Sequence, residues 1–322
     1  MPPAPPPTPG RWRRTPPAIF PPVLGLFGLG LAWRAGAPAF GLPGGVAEML
    51  LGAVTLLYLF CLAAWLAKPL RRSGVVLDEL RVLPGRAGLA AMTLSLMLTG
   101  ATLVPYAPRL ALGLSVLGVA AHAALVATLT VLILRGPAEG RTVTPVWHMV
   151  FVGFIVAPAA WLPLGLEGAA RAVLFATLPV AGAIWAVSLW QLATRIPPAP
   201  LRPLLAIHLA PASLFAVVAT GLGHSTLAAV FAGAATLILI ALLAAARWIT
   251  AAGFSALWGA FTFPLAVYAA ALLAVAPGSE ALRIAAGLAL VAATLAIPPI
   301  AAKVLQAWAK GGLAAKTNAA EA

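Results

Sequence analysis

Ten apolar stretches, each close to the length that crosses a bilayer, follow one another through almost the whole of this chain. They run over 18–37, 44–67, 86–105, 108–134, 145–165, 169–193, 203–222, 225–248, 254–276 and 281–308. A transmembrane helix needs roughly 20 mainly apolar residues. Runs rich in Leu and Ala without period-2 alternation point to helices, since the strands of a membrane barrel would be about 10 residues long with polar lumen positions. With 62% hydrophobic and 8% charged residues in a chain of 322, a soluble domain is excluded and the solvent is lipid. The expected fold class is an all-α polytopic membrane protein of ten transmembrane helices.

The basic residues orient it, because Lys and Arg are retained on the cytoplasmic side of short loops. One alternate set of connections holds Arg11, Arg13, Arg14, Lys68, Arg71, Arg72, Arg81, Arg86, Arg135, Arg141, Arg195, Arg202, Arg247, Lys303, Lys310 and Lys316. The other holds only Arg34, Arg109, Arg171 and Arg283. Both termini are therefore expected in the cytoplasm, with odd-numbered helices running outward and even-numbered ones returning. The net charge of +13 is then topological, and because the cations are spread over short loops instead of one face, a nucleic-acid partner is not expected.

Residues 1–17 are Pro-rich and basic and read as a disordered cytoplasmic tail, with 18–310 as the membrane domain and 311–322 as a second cytoplasmic tail. Arg13 and Arg14, an apolar stretch and Ala35-Gly36-Ala37 have the outline of a signal peptide. Cleavage there would leave nine helices and upset the charge alternation, so the first stretch is read as a retained helix. The single cysteine, Cys61, excludes an intramolecular disulfide.

Paired through their short outer connections, the ten spans form five helical hairpins. Prolines Pro158, Pro211 and Pro264 recur every 53 residues in the odd spans. A proline inside a helix removes a donor and frees a carbonyl, which lipid does not satisfy but a water-filled cavity or a packed neighbour does. Odd helices are thus the expected lining and even helices the expected wall. The lining and kink candidates are Phe20, Pro21, Gly25, Thr93, Pro158, Pro211 and Pro264.

Several of these stretches carry a resemblance. Phe20-Pro21 leads into a Gly-rich run and Ala32-Trp33; Thr144-Pro145-Val146-Trp147 opens the fifth span; Arg202-Pro203 and Ala210-Pro211 mark the seventh; and the ninth reads Trp258-Gly259-Ala260-Phe261-Thr262-Phe263-Pro264. In this order they resemble the tellurite-resistance/dicarboxylate transporter family, which includes the plant slow anion channels, over roughly Ala18 to Lys310. The resemblance implies five hairpins in quasi-fivefold arrangement around a central pore, one pore in each subunit of a homotrimer. It also implies a bacterial inner (plasma) membrane protein and a phenylalanine gate in the ninth helix, here Phe263. About the tenth residue of its span, at roughly 1.5 Å rise per residue, Phe263 falls near the bilayer midplane. The chain departs from the family pattern at Glu79-Leu80-Arg81-Val82-Leu83-Pro84, where a His-Pro pair is usual, at His148, and at Pro211-Ala212, where paired prolines are usual.

No Asp, Glu, Lys or Arg lies in the central part of any odd span, which disfavours a proton-coupled pump or symporter. The expected function is a passive channel for small monovalent anions such as chloride and nitrate. The alternative is a carrier or exporter of dicarboxylate, sulfite or tellurite oxyanions. Arg34, Arg86 and Arg202 are anion attractors or interfacial anchors. His122 and His208 lie deep enough to be weighed as haem or metal ligands and His148 lies near the inner end of the fifth span, but no two share a helix at ligand spacing. His224 falls in an outer loop, and Glu48 near the outer end of the second span is open to a hydrogen-bonding or vestibule role. No P-loop, nucleophile elbow or His-Glu-x-x-His pair is present, so no catalytic residue, metal or cofactor is expected and the chain is not read as an enzyme.

Overall fold

The structure, a computed structural model, describes residues 12–322. In chain order its helices are α1 (Phe20–Ala39), α2 (Gly45–Arg71), α3 (Val75–Arg81), α4 (Leu83–Leu103), α5 (Pro108–Arg135), α6 (Pro158–Trp161), α7 (Glu167–Thr194), α8 (Leu209–Gly221), α9 (Ser225–Ala244), α10 (Ala246–Ile249), α11 (Gly259–Val275), α12 (Glu280–Ala309) and α13 (Gly312–Lys316). Among the described residues there is no strand, and nine helical stretches are long and apolar enough to cross a membrane.

The tenth expected span, 145–165, is the exception. It is a π turn (His148–Val152), a 3₁₀ turn (Gly153–Val156) and the single turn α6. Pro158 is the first residue of α6, so it restarts a helix instead of bending a continuous one. The same happens twice more. Pro211 is in the first turn of α8, which follows a 3₁₀ helix (Ala199–His208), and Pro21 is in the first turn of α1, which follows a 3₁₀ turn (Pro17–Ile19). A proline there removes an N–H that has no intrahelical partner anyway. Of the expected kink prolines, Pro264 alone lies inside a helix.

Burial alternates along the chain. Of the most apolar windows, those in α1, α4, the α8 stretch and the α11 stretch are 61–78% buried, and those in α2, α5, α7, α9 and α12 only 17–33%. The buried segments touch in a closed series: α1 packs on α4, α4 on the broken fifth segment, that segment on α8, α8 on α11, and α11 back on α1. Each also packs on the long helix that follows it in the chain. Glycine permits the closest approaches, since a Cβ on Gly25 of α1 would overlap the Thr262 side chain of α11. Polar bonds tie the layers together: Tyr58 O–H of α2 donates to the Met92 carbonyl of α4 (3.0 Å), and Trp33 Nε1–H of α1 to Thr294 Oγ1 of α12 (3.0 Å). The outer helices leave Leu56, Leu134, Leu189, Leu237 and Leu295 exposed, a surface suited to lipid.

The expected disordered tail at 1–17 is corrected where it is described; residues 1–11 lie outside the described residues. Thr15, Pro16 and Pro17 are buried. Lys68 of α2, itself buried, donates to the Thr15 carbonyl (3.0 Å) and pairs with Glu79 of α3. The 311–322 segment closes over the same place: Ala320 N–H donates to Glu79 Oε1 (3.2 Å), and Glu321 pairs with Arg14 (2.7 Å). These charged groups have chain partners, so residues 13–17 and 311–322 pack against each other and against α2 and α3.

Candidate functional site

All five inner segments contribute to one cavity of about 40 Å³. Pro21 and Leu24 come from α1, Leu94 from α4, His148, Met149, Val152 and Val156 from the fifth segment, Ala210, Pro211 and Leu214 from α8, and Ala260, Phe263 and Pro264 from α11. A second cavity of about 20 Å³ shares Pro21, Met149, Ile207 and Ala260 with the first and is otherwise lined by Ala18, Pro84, Ala87, Leu204, Ala256 and Leu257. Those residues lie near the starts of the inner segments, so the five segments enter the molecule side by side and run in the same direction. The spaces hold no more than a few waters between apolar walls.

Phe263 is 6% exposed. Its ring lies against Gly28 of α1, where a Cβ would stand 2.9 Å from Cδ2 and 3.2 Å from Cε2. The missing side chain at Gly28 is therefore the seat of the ring. Not every lining candidate reaches the cavity. Phe20 is turned outward onto Tyr58, their centroids 6.2 Å apart, and Gly25 faces Thr262. Pro158 is buried beside the cavity without lining it. Thr93 Oγ1 lies 2.8 Å from His122 Nδ1, while His122 Nε2–H donates to the Val150 carbonyl (2.8 Å). Thr93 and His122 thus hold the π turn in place, taking up a carbonyl of the irregular segment.

The three arginines differ. Arg34 grips Glu48 through two bonds (2.7 and 2.6 Å) and caps the Ala101 and Thr102 carbonyls at the end of α4 (3.2 and 3.0 Å). Tyr106 O–H donates to the same carboxylate (2.8 Å), and that bond, with some burial, pushes the phenol above its ordinary pKa. Arg34 is therefore neutralised as well as anchored, which weakens its candidacy as an anion attractor and gives Glu48 a structural task. At the other end, Arg86 donates to the Leu80 carbonyl (2.7 Å), and Arg202 donates to the Pro197 carbonyl (3.0 Å) and stacks 4.3 Å above the Trp248 ring. Among the described residues no carboxylate pairs with either, so each keeps a net positive charge.

Sequence reasoning missed one pairing. His148 Nε2 and His208 Nδ1 are 3.0 Å apart, although the residues are 60 positions apart on different spans. No spacing within one helix reveals such a contact. The available signal was depth, because each histidine lies near the start of an odd span. Among the described residues no three of His, Cys, Asp and Glu come together.

A family model described as SLAC1, voltage-dependent anion channel, matches residues 14–304. Among curated proteins none matches the chain.

Proposed function

The chain belongs to the voltage-dependent anion channel (SLAC1) family, and from that premise we propose that it is a passive channel for small monovalent anions, chloride and nitrate among them, occluded at rest by Phe263. The observation that carries this reading is the cavity on which all five inner segments converge, with the Phe263 ring seated in the gap left by Gly28. The ring and its apolar neighbours form a dewetted constriction; displacement of the ring wets the path. With no carboxylate, ammonium or guanidinium on the cavity wall, an anion binds weakly there and leaves as readily as it enters. The charges of Arg86 and Arg202, which no carboxylate among the described residues pairs, raise the local anion concentration at the cytoplasmic mouth.

The rest of the assignment follows the same premise. The five hairpins stand in quasi-fivefold arrangement with the even helices outside, and three copies associate through that outer surface, each with its own pore. The protein spans a bacterial inner membrane with both ends in the cytoplasm, consistent with the distribution of Lys and Arg. The test is the reversal potential of Phe263→Ala in planar bilayers under a chloride or nitrate gradient. Current that follows the anion equilibrium potential without saturating supports the channel. Saturating flux that requires a second ion would overturn it in favour of a carrier of larger oxyanions.

A further inference from the structure

Among the described residues His148 is the one polar side chain lining the central cavity, apart from the thioether of Met149, and it does not stand alone. It leads the π turn of the fifth segment, and its ring meets that of His208, the last residue of the 3₁₀ helix before α8, edge to face with centroids 5.0 Å apart. Trp185 of α7 adjoins the pair, its ring 5.3 Å from that of His148 and its Nε1–H donating to the His208 carbonyl (3.3 Å). The two remaining ring nitrogens, His148 Nδ1 and His208 Nε2, are buried without a partner.

Proton accounting gives the pair its meaning. A neutral imidazole carries one N–H and one lone pair. Two neutral rings joined by a single N–H···N bond leave one N–H and one bare lone pair at the outer nitrogens, with nothing to bond either. One proton taken from solution fills that lone pair. The result is an imidazole bonded to an imidazolium, with an N–H at both outer nitrogens and one positive charge beside the cavity.

Among the described residues nothing nearby balances that charge. His208, 3.0 Å away, is the ionisable side chain in contact with His148. From α4, Arg86 is held at the Leu80 carbonyl, and on the 3₁₀ helix itself Arg202 is held on Trp248. On α5, His122 has both ring nitrogens bonded, and Arg109 and Arg135 stand at the helix ends. On α7, Glu167 and Arg171 belong to the first two turns, far from Trp185. On α11, Tyr268 is bonded to Thr236. The segments α8 and α9 have no titratable residue, and α10 adds only Arg247, another cation. A charge on the pair is therefore balanced from one direction, by an anion in the cavity. Two imidazoles also suit a metal, but among the described residues no third donor joins them.

We propose that the His148–His208 pair is a proton-binding site that fills together with a small monovalent anion in the cavity beneath Phe263, so that acid promotes anion passage. Each charge is expensive alone in this apolar place, and each offsets the other. By linkage, the proton raises anion affinity by the same factor as the anion raises proton affinity. The proposal rests on the channel reading for its effect on flux, but the linkage itself is a binding property.

The experiment measures chloride and nitrate flux from liposomes holding the purified protein at pH 8 and pH 5, for the wild type, His148→Gln and His208→Gln. The wild-type ratio of flux at pH 5 to that at pH 8 is expected to be about tenfold, falling to near one in both variants. An unchanged ratio in the variants, or a wild-type ratio of one, overturns the proposal. If no form conducts, or the variants do not fold, nitrogen-15 histidine spectra of the wild type decide. The titration midpoint of the pair should lie about one pH unit higher in chloride than in gluconate, and equal midpoints overturn the linkage. Silence of Phe263→Ala with a shifted midpoint would remove the channel reading and leave the proton and anion site standing.

Discussion

The inner segments and the outer helices are both apolar, yet the buried ones are the less hydropathic of the two sets. In water the order would be reversed. In lipid, apolar composition contributes little to bringing helices together, so the more hydropathic helices stay outside while the inner segments use residues such as Gly25, Gly28, Thr93 and His148 to pack closely and to break regular structure. The difference locates function. Irregular backbone appears at the fifth segment and before α8, where it faces protein and a cavity, and the long outer helices shield it.

The largest effect should come at the place that breaks this contrast, the buried C-terminal end of the outer helix α2. Lys68→Met leaves Glu79 buried and unpaired and should lower stability by about 3–5 kcal/mol, read from thermal unfolding in detergent. The double variant Lys68→Met/Glu79→Leu should recover most of the loss. The exposed pair of Arg283 and Glu280 on α12 (2.7 Å) is the contrasting case, since Arg283→Ala should leave the unfolding temperature close to that of the wild type.

Glycine sharpens the comparison next. Gly28→Leu in α1 drives a side chain into Phe263 and Ala266 and should cost about 1–3 kcal/mol. Gly52→Leu in α2 meets nothing within 4 Å and should stay within about 0.5 kcal/mol. Equal losses at both positions would erase the distinction between the layers. The smallest effect concerns the Arg34–Glu48 pair. Glu48→Gln unmasks the charge of Arg34 and should raise conductance by about twofold at low salt. The gain should fade near 1 M salt, where the screening length falls to about 3 Å.

Much of this architecture is legible in the sequence because a bilayer imposes a length and a charge rule on each span separately. The alternation of inner and outer helices could be read from prolines such as Pro211 and Pro264, and the long helices α2, α5, α7 and α12 fall close to their expected bounds. What was not legible depends on contacts far apart in the chain. The fifth segment is apolar enough for a regular helix, and its π and 3₁₀ turns rely on His122 from α5. The burial of Thr15 and Glu79 requires the residues after Lys310, and the pairing of His148 with His208 requires two spans to meet at one depth. Phe263 stood out through resemblance, whereas its seat on Gly28 is visible only once α1 and α11 are packed.

The most direct test of the account compares one phenylalanine from each layer. Single-channel conductance in symmetric chloride should rise by about tenfold or more in Phe263→Ala, a barrier change of at least ~1.4 kcal/mol. It should stay at the wild-type value in Phe175→Ala, whose ring on α7 is 51% exposed on the outer surface. Conductance unchanged in both folded variants, or raised equally in both, would contradict a pore lined by the inner segments and closed by Phe263.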